Sequence, residues 1–333
     1  MLVVAPGDQA TGLKLSQELA LVETQFASEL SSDLDCVNQL VQHVERYRGK
    51  MLRPMLVLVS AMAASPTGHE VNQAHRVVAT VAEMVHMATL VHDDILDEAQ
   101  VRRKGQTVNQ LRGNETAVML GDYLISHAYH LCSSLESTLA SRVIAQATNT
   151  VCEGELLQLA NRQNWQLDLA TYDEIIRRKT ASLCGACCKL GGLLHGVDES
   201  VSDALYNYGE KLGKAFQIID DVLDLTGDPQ TVGKTLGRDV EKGKLTLPMI
   251  HALQTAPQAQ RDELLSILKL GQVTAEQSDR IRQILHNAGS LQVALSEAKK
   301  LVEDAKAELN LLADSPARNL LLNMADAVIT RQA

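Results

Sequence analysis

An all-α fold follows from three features of this chain of 333 residues. Apolar residues recur at helical period through nearly its whole length. Hydrophobic residues make up 45% of it and aromatics only 3%. The core must therefore come from Leu, Val, Ala, Ile and Met, which suit helix-on-helix packing better than a sheet sandwich. No alternating run bounded by hairpin signals competes with that reading. The length fits one large domain over residues 1–333.

The elements fall in order between punctuation residues. Helices are expected over 10–30 and 33–47. The basic turn Gly49-Lys50-Met51-Leu52-Arg53-Pro54 follows, with Pro54 suited to the first position of a helix over 54–64. Ser65-Pro66-Thr67-Gly68 is a break. A long segment over 70–98 carries Asp93-Asp94-Ile95-Leu96-Asp97 at its end. Segments 114–134, 137–161 and 171–195 come next, the last with Lys179-Thr180 in mid-helix. Segment 202–226 ends on Asp220-Asp221-Val222-Leu223-Asp224, and Gly227-Asp228-Pro229 breaks the chain after it. Helices over 243–255, 258–270, 275–287, 289–313 and 316–330 complete the count. They are rich in Leu, Ala, Glu and Lys, carry no chemical constellation, and read as scaffold. Apart from the two pentads there is no tandem repeat, low-complexity tract or linker.

Composition excludes several classes of function. A net charge of −10 argues against nucleic-acid binding, which needs a basic face. Six cysteines spread through helical sequence in a chain too long to need disulfide staples point to a reducing, cytoplasmic setting. Cys184, Cys187 and Cys188 form a lone C-x-x-C with no second pair, so they read as packed thiols and not as a zinc site. Leu2-Val3-Val4-Ala5 is too short for a signal-peptide core and is broken by Pro6. No stretch approaches a transmembrane span.

The repeated pentad D-D-x-x-D is the centre of the functional reading. On a helix its first and last carboxylates stand one turn apart on one face, where like charges repel. Two such pairs facing each other need a strong cation between them. Mg²⁺ takes one or two carboxylates plus substrate phosphate and water, so the pair reads as a Mg²⁺–polyphosphate clamp. A solvated acidic face is the competing explanation of one pentad alone. The apolar spacers Ile95, Leu96, Val222 and Leu223, and the apolar sequence leading in, favour the clamp. A di-iron site would want Glu and paired Glu-x-x-His motifs. Glu83-Met84-Val85-His86 supplies one such motif, but the second half of the chain has none. Cations stand at separate places around the pentads: the basic turn at Lys50 and Arg53, Arg102-Arg103-Lys104, Lys179-Thr180, and Lys234 and Lys244. Taken singly each reads as a surface residue; the joint pattern carries the argument.

From about Gly49 to Pro248 these motifs resemble the trans-isoprenyl diphosphate synthases, and the long-chain polyprenyl diphosphate synthases in particular. The matching motifs are Gly-Lys-x-x-Arg-Pro, Glu-x-x-His ahead of His-Asp-Asp, D-D-x-x-D followed by Arg-Arg, Lys-Thr, and Phe-Gln-x-x-D-D-x-x-D followed by Gly-Lys. The family commonly shows Gly-Gly-Lys-Arg at the first turn, where this chain has Arg48-Gly49-Lys50-Met51. The resemblance implies a single helical bundle of the isoprenoid synthase type with a central cavity. It implies Mg²⁺ as cofactor, held by Asp93, Asp97 and Asp220. Asp94, Asp221 and Asp224 complete the pentads, and Lys179 joins them in the catalytic set. Lys50, Arg53, His86 and Arg103 match the isopentenyl diphosphate pocket. Arg102, Lys179, Thr180, Gln217, Lys234 and Lys244 match the contacts to the allylic diphosphate. The implied reaction is ionisation of an allylic diphosphate, condensation with isopentenyl diphosphate and loss of a proton. A homodimer, and a peripheral membrane contact for product release, are implied partners; nucleic acid is not.

Product length is read from the helix before the first pentad. Short-chain members commonly carry an aromatic four or five residues ahead of the first Asp. Here those positions are Thr89 and Ala88, both small, with Met84 as a soft floor further back. From Ala88 back to Val71 the wall is roughly 26 Å, or about five isoprene units past a short-chain stop, giving a product near C40 within about C30–C50. The alternatives are a short-chain synthase of about C15–C20 by the same helix-turn estimate, a terpene cyclase, or a non-catalytic prenyl-diphosphate-binding subunit of a heteromer. A cyclase would normally lack the Gly-Lys…Arg-Pro turn and the second Asp pentad. A binding subunit would tend to lose the pentads.

Overall fold

Helices occupy most of the chain in the computed structural model, which describes residues 9–46, 49–65, 70–103, 105–226 and 238–331. The expectations placed on Leu2–Pro6, Arg48, Pro66–Gly68, Lys104, Gly227–Pro229 and Lys234 lie outside those residues. The helices are α1 (Gln9–Glu29), α2 (Asp35–Glu45), α3 (Leu52–Ala64), α4 (Gln73–Leu96), α5 (Val108–Arg112), α6 (Asn114–Ser133), α7 (Thr138–Ala160), α8 (Leu169–Ile176), α9 (Ser182–Leu193) and α10 (Glu199–Thr226). A π-helical turn, Arg177–Ala181, joins α8 to α9. The C-terminal part is the short turn Arg238–Glu241 and the helices Leu247–Thr255, Gln258–Leu268, Ala275–Asn287, Ser290–Glu308 and Pro316–Ile329. Among the described residues the only strands are β1 (Val101–Arg102) and β2 (Gly105–Gln106), an antiparallel two-residue ladder.

The chain divides into two compact units. The first holds the residues up to Thr148, Leu183–Gly209 and Glu308–Met324. Its spine is α4, which packs most extensively against α6 and also against α3 and α1. Every residue of α4 from Val77 to Val85 is buried, the pattern of a helix enclosed on all sides. A capping box starts it: the Asn72 side chain accepts from the His75 backbone N–H, and His75 Nδ1 accepts from the Asn72 N–H at 3.1 Å. Its end is set by Asp97, whose N–H reaches the Asp93 carbonyl at 2.8 Å, and by Glu98, whose φ of 48° turns the chain out of the helix. Tyr208 is wholly buried in this unit and donates to the Leu321 carbonyl at 2.7 Å.

The second unit holds Asn149–Ser182, Glu210–Ala307 and the residues from Ala325 onward. Asp168 caps α8 by accepting from the Thr171 N–H at 2.7 Å. Helix Leu247–Thr255 packs on α8 and on the two helices that follow it.

Three local expectations are corrected. The segment expected as one helix over 171–195 is interrupted by the π turn, so Lys179 and Thr180 sit in a widened turn and not in regular helix. The long helix begins at Gln73, after Val71. Pro54 is the third residue of α3, where its missing N–H is still one of the unpaired first-turn donors. Met51, just before that helix, takes a left-handed φ of 52°. The ladder after the first pentad was not foreseen, because two-residue strands are too short to show alternation.

Candidate functional site

In the first unit, the last turns of α4 and the chain that follows place acids and bases together. Asp93 and Asp97 are half-buried. Asp94 points inward, 2% exposed. The Arg102 guanidinium grips it as a fork, Nε donating to Oδ2 at 3.0 Å and Nη2 to Oδ1 at 2.7 Å. The Asp94 carbonyl accepts from the Ala99 N–H at 2.8 Å. Arg102, expected to reach the allylic diphosphate, is thus anchored on the pentad. Arg103 follows with a φ of 47°, which aims its side chain back over Gly49. A Cβ at Gly49 would overlap the Arg103 guanidinium, so the glycine of the basic turn is the seat of that cation. His86 is half-buried on α4, and loss of water holds its imidazole well below the usual histidine range. The charges of Arg53, Arg102 and Arg103 act in the same direction. Arg53, His86 and Arg103, expected to share a pocket, are therefore brought together with Arg102; Lys50 is exposed. Met84 and Ala88 are wholly buried. Thr89 is half-buried and donates to the His86 carbonyl at 2.7 Å.

In the second unit, Lys179, Thr180, Gln217, Asp221 and Lys244 line one cleft of ≈ 100 Å³. Lys179 donates to Gln158 Oε1 at 2.9 Å and forms an ion pair with Glu155. Thr180 donates to Gln217 Oε1 at 3.0 Å, and Gln217 Nε2 donates to Asp221 Oδ1 at 2.8 Å. Gly154 on α7 makes this possible. A Cβ there would stand 2.5 Å from the Lys179 backbone nitrogen. Burial pushes the Asp221 carboxyl well above the usual range, and the carboxylate of Asp239 pushes the same way. Asp224 accepts from the Asp239 N–H at 3.3 Å. Asp220 is more open and lies 3.3 Å from the Arg331 guanidinium, which also stacks 4.5 Å from the Phe216 ring.

The cleft contains residues that sequence reasoning missed: Tyr172, Gln158, Asn161, Asp239 and Thr246. Tyr172 lies two helical turns before Lys179, on a shared face, and that spacing was the available signal. Asp239 sits in a polar stretch whose helix is a single turn, which leaves no periodicity to read.

The donors suit Mg²⁺. They are hard carboxylate oxygens, paired one turn apart on α4 and close in sequence on α10. Among the described residues no three His, Cys, Asp or Glu side chains converge into a closed metal cage. Sparse carboxylates completed by phosphate oxygens and water are how Mg²⁺ is commonly held. All six cysteines are free thiols, and Cys184, Cys187 and Cys188 are buried.

Comparison with known proteins shows the family of this chain. The family profile "Polyprenyl synthetase" matches residues 35–287. The chain is 34% identical over 316 residues to octaprenyl diphosphate synthase of Escherichia coli, covering 95% of this chain and 96% of that one. It superimposes with a TM-score of 0.90 and 32% identity on a decaprenyl diphosphate synthase from Rhodobacter capsulatus, over 97% of this chain and 98% of that one. A polyprenyl synthase from Caulobacter crescentus, crystallised with calcium and isoprenyl diphosphate, gives a TM-score of 0.90 and 31% identity over 98% and 100% of the two chains. The chain belongs to the polyprenyl synthetase family and is an all-α prenyltransferase.

Proposed function

We propose that this protein joins isopentenyl diphosphate to an allylic diphosphate primer with Mg²⁺, repeatedly, to give an all-trans product of about C30–C50 on the helix-turn estimate. The observation that carries it is the duplication of chemistry. One pentad is accompanied by Arg53, His86, Arg102 and Arg103 in the first unit. The other is accompanied by Lys179, Thr180, Gln217 and Lys244 in the second. Two anionic substrates need two such cation sets.

Asp93 and Asp97 in the first unit, and Asp220 in the second, are the residues that would bind Mg²⁺, which when bound supplies charge neutralisation of the departing diphosphate. Lys179, Lys244 and Lys234 bind the allylic diphosphate, and Thr180 and Gln217 orient it. Lys50, Arg53 and Arg103 bind isopentenyl diphosphate as permanent cations. His86, kept neutral by burial, serves as a hydrogen-bond donor there and adds no charge. Long product length is supported by the small residues Ala88 and Thr89 and by the octaprenyl and decaprenyl names of the relatives. The whole chain acts as one synthase domain, a reading supported by relatives that match nearly all of it. A homodimer is supported by Val118, Met119 and Tyr129, large apolar residues left exposed on α6. A cytoplasmic setting is supported by six free thiols. No helix among the described residues is long and apolar enough to cross a membrane.

The test is incubation of the protein with isotope-labelled isopentenyl diphosphate, an allylic primer and Mg²⁺, with products separated by chain length. Mg²⁺-dependent long-chain product is expected, with a loss of about a hundredfold or more in Asp93→Asn and in Asp220→Asn. Incorporation that ignores Mg²⁺, or that survives both substitutions, overturns the proposal.

A further inference from the structure

We propose that Tyr172 is a positioning residue for the second pentad: it fastens Asp221 as an inward post, so that Asp220 is presented to the metal at a fixed distance from Lys179. The inference rests on the prenyltransferase reading of this cleft and adds to it a residue that neither motif nor pentad contains.

The geometry is a run of three hydrogen bonds that ties two helical segments together at both ends. Along one side, Tyr172 and Thr180 stand about two turns apart, bracketing Lys179. Along the other, Gln217 and Asp221 stand about one turn apart on α10, beside Asp220. The Tyr172 hydroxyl donates to Asp221 Oδ2 at 2.6 Å. Gln217 Nε2 takes Oδ1 at 2.8 Å, and Thr180 donates to Gln217 Oε1 at 3.0 Å. Both oxygens of Asp221 are thereby engaged from within the protein. Tyr172 and Asp221 are each only 5% exposed, whereas the Asp220 side chain is 44% exposed. Two adjacent aspartates of one motif thus have opposite tasks: one faces the ligand and the other faces the protein.

The tyrosine is suited to the task. Its ring is stiff and packed, and its backbone N–H bonds the Asp168 carbonyl at 3.1 Å in the capped first turn of α8. Any slack in the Tyr172–Asp221 bond would let the pentad shift against the Lys179 turn. A cation and a metal that must grip one diphosphate together lose more from such slack than either would alone.

The experiment compares Tyr172→Phe, Asp221→Asn and Asp220→Asn. Calorimetric titration with Mg²⁺ and inorganic diphosphate is run beside steady-state kinetics and thermal melting. In Tyr172→Phe we expect Mg²⁺–diphosphate binding about tenfold weaker, about 1.4 kcal/mol. The KM for the allylic primer should rise by a similar factor, with the KM for isopentenyl diphosphate unchanged. Asp221→Asn should match Tyr172→Phe and lose far less Mg²⁺ affinity than Asp220→Asn. The proposal is overturned if folded Tyr172→Phe binds Mg²⁺–diphosphate like the wild type. It is equally overturned if both KM values and the melting temperature move together, the mark of a merely structural role. Should Tyr172→Phe not fold, Asp221→Asn decides: a Mg²⁺ loss equal to that of Asp220→Asn makes Asp221 a ligand and removes the post. A wild-type protein that binds Mg²⁺ and diphosphate but forms no prenyl product removes the prenyltransferase reading, while the binding comparison still judges Tyr172.

Discussion

Gly49 and Gly154 both exclude a side chain, but the obstacles differ in stiffness. At Gly49 the obstacle is the far end of Arg103; at Gly154 it is the backbone of Lys179. Gly49→Ala therefore swings a flexible cation away at little cost in stability and removes it from the isopentenyl diphosphate pocket. Its melting temperature should stay at the wild-type value while the KM for isopentenyl diphosphate rises, by up to the about 1.5–3 kcal/mol of a charge-assisted hydrogen bond. Gly154→Ala should instead destabilise by about 1–3 kcal/mol, because backbone cannot yield as a side chain does. Equal melting losses in the two variants would refute this assignment. The first pentad divides in the same way. Asp94→Ala strands the partly buried Arg102 guanidinium and should cost about 3 kcal/mol in urea unfolding, whereas half-buried Asp93→Ala should cost almost nothing. A D-D-x-x-D spacing shows that Asp93 and Asp97 share a face. It does not show that the middle Asp turns inward, because that depends on Arg102, which a positive φ at Glu98 and a short ladder carry back to it.

At the scale of the element, α4 carries an acid-sensitive start. His75 is wholly buried, and its pKa is lowered to about 4, first by burial and then by the neighbouring His195. The two rings lie 4.5 Å apart. Its partners fix one neutral tautomer: Nδ1 accepts from the Asn72 N–H, so the proton sits on Nε2, 3.2 Å from the Gly191 carbonyl. A second proton would have to displace the capping bond. The unfolded chain protonates near the usual 6.5 and the folded chain only near 4. Stability from this site is therefore complete above about pH 6.5 and falls as the pH drops towards 4, by about 3 kcal/mol. His75→Gln keeps a side-chain acceptor for the capping box but cannot titrate. Its urea midpoint should vary less with pH between 6.5 and 4 than that of the wild type, and an unchanged slope would show that His75 is not responsible. Helices such as α4 and α10 were legible because the apolar period holds along their length. The π turn was not, since Arg177–Ala181 differs from regular helix by one extra residue in a single turn and leaves the apolar pattern on both sides intact.

Product length belongs to the whole molecule, and burial separates the two positions expected to control it. With about 3.6 residues per turn, Thr89 lies about 40° from Asp93 around α4, and Ala88 about 140° away. Thr89 thus shares the face of the metal aspartate, and it is the half-buried one of the pair; Ala88 is wholly enclosed. Behind Thr89 the same face continues through Val85, Ala82 and Val78, all buried and apolar, to His75, the first polar side chain on it. From Thr89 to His75 is about four turns, or ~21 Å, which at one isoprene unit per turn admits about four units past a C15 stop and gives about C35. That is shorter than the C40 reached from Ala88 back to Val71, because this face runs from Thr89 only to His75, near the start of the helix at Gln73. Thr89→Phe places a ring at the top of this face without entering the enclosed side of the helix. It should fold as the wild type does, keep its early condensations and stop at about C15–C20 by the same estimate. Ala88→Phe, which the pentad spacing alone nominates equally, should overpack the core and lose about 1–3 kcal/mol before it shortens anything. Melting temperatures and product ladders measured side by side separate the two. Full-length product from a folded Thr89→Phe enzyme would show that the tail does not run along the Asp93 face of α4, and the length estimate would fall with it.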